Sequence, residues 1–148
     1  MNSGMNVLIL GSGKIGKVIA SDLMSSHNEV TLTLADVNKR QAEKAASEVE
    51  GSEYVVIDSR NELKLVQLLS KFNLVVGALP GDYGYGAMKA AVEAGTDMVD
   101  VSYMPESPAT LSEEAVRKKV TVIPDCGVAP GLSNILVGYS KEQLDQVN

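Results

Sequence analysis

Four apolar residues, Val7-Leu8-Ile9-Leu10, run straight into Gly11-Ser12-Gly13-Lys14-Ile15-Gly16, and from Ile15 apolar residues return at Ile19 and Leu23. The apolar run is too short for a helix and is stopped by glycine, so it reads as a buried strand. The four-residue spacing puts Ile15, Ile19 and Leu23 on one face of a helix. A strand, a glycine loop and a helix in direct succession leave few folds open. Gly11 permits the tight turn, Gly13 lets an anion approach the backbone, and Gly16 lets the helix lie against the strand. The first N–H groups of the helix lack partners within it and carry partial positive charge, so the segment predicts a phosphate-binding turn. The GxxxxGK[ST] spacing is missing, so Lys14 is not a Walker lysine and reads as an exposed loop residue.

The rest of the chain repeats the alternation. After the turn Ser26-His27-Asn28, Val30 to Ala35 reads as a second strand, and Ala42, Ala45, Ala46 and Val49 mark a helix closed by Gly51. Tyr54 to Ile57 is a third strand, followed by a leucine-rich helix from Glu62 to Ser70. Leu74 to Ala78 is a fourth, broken by Pro80 and Gly81, and Gly81-Asp82-Tyr83-Gly84-Tyr85-Gly86 reads as its connection to a helix carrying Met88, Ala91 and Val92. Met98 to Val101 is a fifth strand and Val120 to Ile123 a sixth. Between them, Ser107 as N-cap and Pro108 at the first helical position open a helix with Leu111 and Ala115 inward. Lys118 and Lys119 sit favourably at its negative end. This order predicts an α/β fold: a doubly wound parallel sheet of about six strands with helices on both faces, the Rossmann fold.

In that fold ligands lie along the carboxyl ends of the strands. Gly11, Ser12, Gly13, Lys14, Ile15 and Gly16 are therefore expected to hold the pyrophosphate of a dinucleotide. Asp36, at the end of strand two and followed by Val37, is placed to accept hydrogen bonds from the adenosine ribose hydroxyls. Its charge would repel a 2′-phosphate, which favours NAD over NADP; Lys39 and Arg40 are the cations that would reverse that preference. Asp36 also suits the N-cap of the next helix. Asp58 and Ser59 are expected beside the adenine, and Ala78, Leu79 and Pro80 beside the nicotinamide ribose.

Composition narrows the partners. The 148 residues carry a formal net charge of −6, with 45% hydrophobic and 22% charged residues. That is an ordinary globular balance without the basic face that nucleic acid requires. No apolar stretch reaches the roughly 18 residues of a membrane helix, and the start Met1-Asn2-Ser3-Gly4-Met5 does not read as a signal peptide. One cysteine, Cys126, forms no internal disulfide, which fits the cytoplasm. No residue grouping suggests a metal site. His27, in a turn opposite the ligand face, and Cys126, without a histidine or cysteine near it in sequence, are assigned no role.

Three further segments, Leu74-Val75-Val76-Gly77-Ala78-Leu79-Pro80-Gly81, Val99-Asp100-Val101-Ser102-Tyr103 and Asp125-Cys126-Gly127-Val128-Ala129-Pro130-Gly131-Leu132-Ser133-Asn134, together resemble the saccharopine dehydrogenase family. The likeness is greatest to its L-lysine 6-dehydrogenase branch. The resemblance implies NAD(P)-linked hydride transfer at a carbon bearing an amine, with an imine then hydrolysed by water. Tyr103 and Asp125, just past strand ends, are the candidates for the general acid–base group; a packed tyrosine and a turn aspartate are the alternative readings. The family also implies a second, larger domain that binds the amino-acid substrate and commonly dimerises. On that expectation residues 1–131 form the NAD(P)-binding domain, residues 132–148 begin the crossing segment, and the chain alone is inactive, with a possible homodimer. Two alternatives share the glycine loop: a non-enzymatic NAD-sensing regulatory domain and an S-adenosylmethionine-dependent methyltransferase.

Overall fold

A computed structural model describes residues 4–145, so Met1–Ser3 and the last three residues of the expected crossing segment lie outside it. The element order is β1 (Met5–Leu10), α1 (Lys14–Ser26), β2 (Val30–Asp36), α2 (Lys39–Glu48), β3 (Glu53–Val56), α3 (Glu62–Leu69), β4 (Leu74–Gly77), α4 (Gly81–Ala94), β5 (Asp97–Asp100), a 3₁₀ turn (Pro108–Leu111), α5 (Ser112–Lys118), β6 (Val122–Ile123) and α6 (Leu132–Glu142). The strands are parallel and lie in the order β3-β2-β1-β4-β5-β6. The chain winds outward from β1 in one direction and from β4 in the other, which is the doubly wound Rossmann arrangement with its crevice at the β1–β4 switch point.

Strand alternation divides the core in two. Val7, Ile9, Leu32 and Leu34 pack with Ala20, Ala45 and Val49 under α1 and α2. Leu8, Leu10 and Val75 pack with Leu65, Leu69, Met88 and Ala91 under α3 and α4. Because both faces are covered, the central strands read as unbroken apolar runs. Each fully buried leucine or isoleucine contributes about 1.5–3 kcal/mol.

Several sequence expectations are corrected. Ile15 does not join Ile19 and Leu23 in the core; it is 59% exposed on the ligand side of α1. The helix expected from Ser107-Pro108 is a 3₁₀ turn followed by α5, and the Ser107 side chain caps nothing. The glycine-rich stretch Gly81–Gly86 is the opening of α4 rather than a connection. Packing requires glycine there: a Cβ on Gly84 would run into the Ser102 hydroxyl and Met104, and one on Gly81 into the Tyr103 carbonyl oxygen. Strand six shortens to Val122–Ile123. At the far end, α6 has no buried residue, and Ile135, Leu136, Val137 and Tyr139 are all exposed.

Candidate dinucleotide site

The phosphate loop is fixed from beneath. Gly11 has φ 105°, a left-handed backbone that glycine adopts without strain. Its N–H donates to the Ala35 carbonyl at 2.8 Å, and the Ala78 N–H donates to Leu10 at 2.8 Å, tying the ends of β1, β2 and β4 together. A Cβ at Gly16 would collide with the Gly11 carbonyl oxygen, so glycine is what lets α1 approach the turn. No side chain caps α1 at Gly13, leaving the first N–H groups of the helix available to an anion.

Above this turn lies a cleft of about 540 Å³, within the usual range for cofactor sites. It gathers most of the expected residues: Gly11, Gly13, Lys14 and Ile15 from the loop, Asp36 and Val37 after β2, Asp58 and Ser59 after β3, and Ala78, Leu79 and Pro80 after β4. Ser12 and Gly16 are buried and do not line it. Lys39 and Arg40, the cations expected to meet a 2′-phosphate, do not line it either. Gln41, Arg60 and Tyr83 do, and sequence reasoning missed all three. Gln41 and Tyr83 come from the first turns of α2 and α4, and their direction follows from how those helices pack.

Asp36 is not the cap of α2; Asn38 fills that place, its Oδ1 accepting from the Gln41 N–H. The Asp36 carboxylate instead accepts from four donors. Oδ2 takes the Ser12 N–H at 3.1 Å, the Ser12 hydroxyl at 3.0 Å and Gln41 Nε2 at 2.9 Å, while Oδ1 takes the Asn38 N–H at 2.9 Å. The acid thus clamps the phosphate loop onto the β2 end. Asp58 is bound by Arg60 through Nη2 at 2.7 Å and Nε at 2.9 Å, and also by the Arg60 N–H at 3.0 Å. These bonds hold the Asp58 carboxyl down to about 2.

The catalytic candidates stand outside the cleft. Tyr103 follows β5 and is 70% exposed. Asp125 follows β6, is exposed, and holds φ 59°, a left-handed conformation uncommon outside glycine. Between their two loops lies a group that sequence reasoning did not single out. Asp100 is fully buried, receives the Ser102 N–H at 2.8 Å and the Ser102 hydroxyl on Oδ1, and leaves Oδ2 without a partner. Burial pushes its carboxyl up, opposed by the two Ser102 hydrogen bonds and assisted by Asp125. Burial and the nearby Asp100 and Asp125 also push the Cys126 thiol up, away from nucleophilic character. No cluster of candidate metal ligands occurs among the described residues, and none of their helices is long and apolar enough to cross a membrane.

Comparison with known proteins agrees with this geometry. Residues 7–123 match the family model described as the saccharopine dehydrogenase NADP binding domain. Saccharopine dehydrogenase [NADP(+), L-glutamate-forming] of Saccharomyces cerevisiae is 26% identical over 145 residues, covering 98% of this chain and 31% of the yeast protein. The mitochondrial alpha-aminoadipic semialdehyde synthase of Mus musculus is 26% identical over 136 residues, covering 92% of this chain and 15% of that one. The structure of apo saccharopine dehydrogenase from S. cerevisiae superposes with a TM-score of 0.83 at 27% identity, over 95% of this chain and 31% of that one. The chain thus spans about a third or less of the length of these relatives. A glycine turn under an uncapped helix, an acid after β2 and a cleft at the switch point are what an NAD(P)-binding domain requires, and the chain belongs to the saccharopine dehydrogenase NADP-binding-domain family.

Proposed function

We propose that this chain is the cofactor-binding part of an amino-acid dehydrogenase that oxidises a saccharopine-type secondary amine or a lysine-type amine, working in a reducing compartment such as the cytoplasm. The observation that carries the reading is the cleft over the Gly11–Gly16 turn in a chain of this family. A nicotinamide bound there supplies the hydride acceptor for the amine-bearing carbon. The oxidised substrate is an imine, and addition of water to its C=N bond then releases an amine and a carbonyl compound. The work of this chain's residues is binding and orientation. Gly13 and the start of α1 receive the pyrophosphate, Asp36 and Gln41 bound the adenosine ribose, and Leu79 and Pro80 bound the nicotinamide side. Tyr103 and Asp125, on the loops after β5 and β6, are the proposed proton-transfer groups for imine formation and hydrolysis. The relatives above are dehydrogenases and synthases; none of them favours a regulatory or methyltransferase reading.

Two measurements test this. The chain alone should bind NADH or NADPH at one site without turning over saccharopine or L-lysine, and a folded chain that binds neither contradicts the proposal. In a polypeptide joining this domain to a substrate domain, Tyr103→Phe and Asp125→Asn should each lower kcat by about 10²-fold, the lower end of general acid–base contributions. Unchanged kcat in both would remove them from the mechanism.

A further inference from the structure

Asp100 ends β5 opposite Gly77, the last residue of β4, and is fully buried. An apolar side chain fills an interior position at lower cost, because a buried carboxyl oxygen without a partner loses its water and gains no bond in return. Asp100 Oδ2 is such an oxygen. Packing alone does not account for an acid here, whereas its contacts do. Oδ1 accepts the Ser102 N–H at 2.8 Å and the Ser102 hydroxyl. The Asp100 backbone carbonyl accepts the Cys126 N–H at 2.9 Å, and the Val101 N–H donates to the Gly77 carbonyl at 3.0 Å. The ends of β4 and β5 and the loop after β6 thus meet at one residue.

The Ser102 hydroxyl that Asp100 fixes lies against α4. A Cβ on Gly84 would run into that hydroxyl and one on Gly81 into the Tyr103 carbonyl oxygen, so the first turn of α4 rests on residues 102 and 103. On the β4 side, a Cβ on Gly77 would strike Asp100 Oδ2. Between these two contacts runs Ala78-Leu79-Pro80, the cleft wall after β4, and Tyr83 in the first turn of α4 lines the cleft as well. Asp100 does not line the cleft. It backs that wall from the interior, directly at Gly77 and through Ser102 at Gly84. Burial pushes its carboxyl up, toward the uncharged form whose shape asparagine shares.

We propose that Asp100 is a positioning residue: through Gly77 and Ser102 its buried side chain sets the ends of β4 and β5 against the first turn of α4, and so places the wall of the cleft that meets the nicotinamide. The inference rests on the main cleft being the dinucleotide site, with the nicotinamide beside Leu79 and Pro80. Calorimetric titration of the full chain compares NADH with ADP-ribose, which lacks only the nicotinamide, and NADPH with 2′-phospho-ADP-ribose. The complete dinucleotide of the tighter-binding pair should bind about tenfold better than its truncated partner, one decade for ~1.4 kcal/mol. Asp100→Ala should cut that margin to about twofold while the truncated nucleotides bind as before, a split that general loss of the fold does not produce. Asp100→Asn, which keeps an acceptor oxygen for Ser102, should restore most of the margin. Ser102→Ala, which removes one bond of the same anchor, should shrink it about threefold, and it decides the matter where Asp100→Ala does not fold. A margin unchanged in Asp100→Ala and Ser102→Ala, equal weakening of complete and truncated nucleotides, no recovery in Asp100→Asn, or no margin in the wild type overturns the positioning role and leaves the cleft reading standing. Binding of none of the four nucleotides by the folded wild type overturns both.

Discussion

The ends of β2 and β5 are built alike and do opposite things. Each strand finishes in an aspartate whose Oδ1 accepts the N–H two residues on, Asn38 for Asp36 and Ser102 for Asp100. Asp58, after β3, repeats the turn with Arg60. Such Asx turns are local chemistry. What differs is the surroundings. Asp36 borders an open cleft and draws in the phosphate loop through Ser12. Asp100 is fully buried at the end of β5, with Gly77 so close that a Cβ there would strike Oδ2. The same turn thus yields an acid that organises a site at the cleft and an acid disfavoured in its charged form in the interior.

Breaking the first turn should have the largest effect. Asp36→Ala leaves the buried Ser12 N–H and hydroxyl without their acceptor, which should cost about 2–3 kcal/mol by denaturant unfolding and weaken NADH binding about tenfold. Retention of both would mean that the clamp is incidental. Next, Gly77→Ala forces a methyl against Asp100 and Met98 and should cost about 1–3 kcal/mol. In a double-mutant cycle with Asp100→Ala that cost should partly vanish; strict additivity would show that the two do not press on each other.

Asp100 itself should be read by pH. Its carboxyl is raised in the folded chain, so above the unfolded value of about 4 the unfolded state has lost a proton that the folded state keeps. Stability should therefore fall as pH rises from about 4 toward the raised folded value, and Asp100→Asn should flatten that slope. A wild-type profile already flat over this interval would contradict the assignment. The smallest effect belongs to the exposed turn. The Asp58 carboxyl is lowered to about 2, so whatever the Arg60 pair contributes is present above about 4 and lost as pH falls through about 2. Arg60→Ala should leave the melting temperature unchanged at neutral pH, as expected for an exposed pair, and a clear drop would show a structural role.

How much of this was legible in the sequence follows the same division. The strand–glycine–helix succession, the six-strand alternation and the placement of Asp36, Asp58 and Leu79 around one cleft are short-range patterns, and they could be read directly. Features that depend on distant packing could not. Ser12 looks like one more loop residue until the β2 end turns it inward. Gly81–Gly86 reads as a connection because glycine disfavours helix, yet the crowding of Ser102 and Met104 against α4 overrides that propensity. Asp100 and Asp36 look equivalent along the chain, and only the third dimension separates a fully buried acid from a half-buried clamp at the cleft.

The most direct test of the central claim, that the cleft over the Gly11–Gly16 turn holds a dinucleotide, is fluorescence titration of the folded chain with NADH and NADPH beside a Gly13→Val variant. The account predicts saturable binding at one site in the wild type and loss of both nucleotides in the variant, whose side chain would stand where the pyrophosphate must meet the backbone. A folded wild type that binds neither, or a variant that binds as well as the wild type, would contradict it.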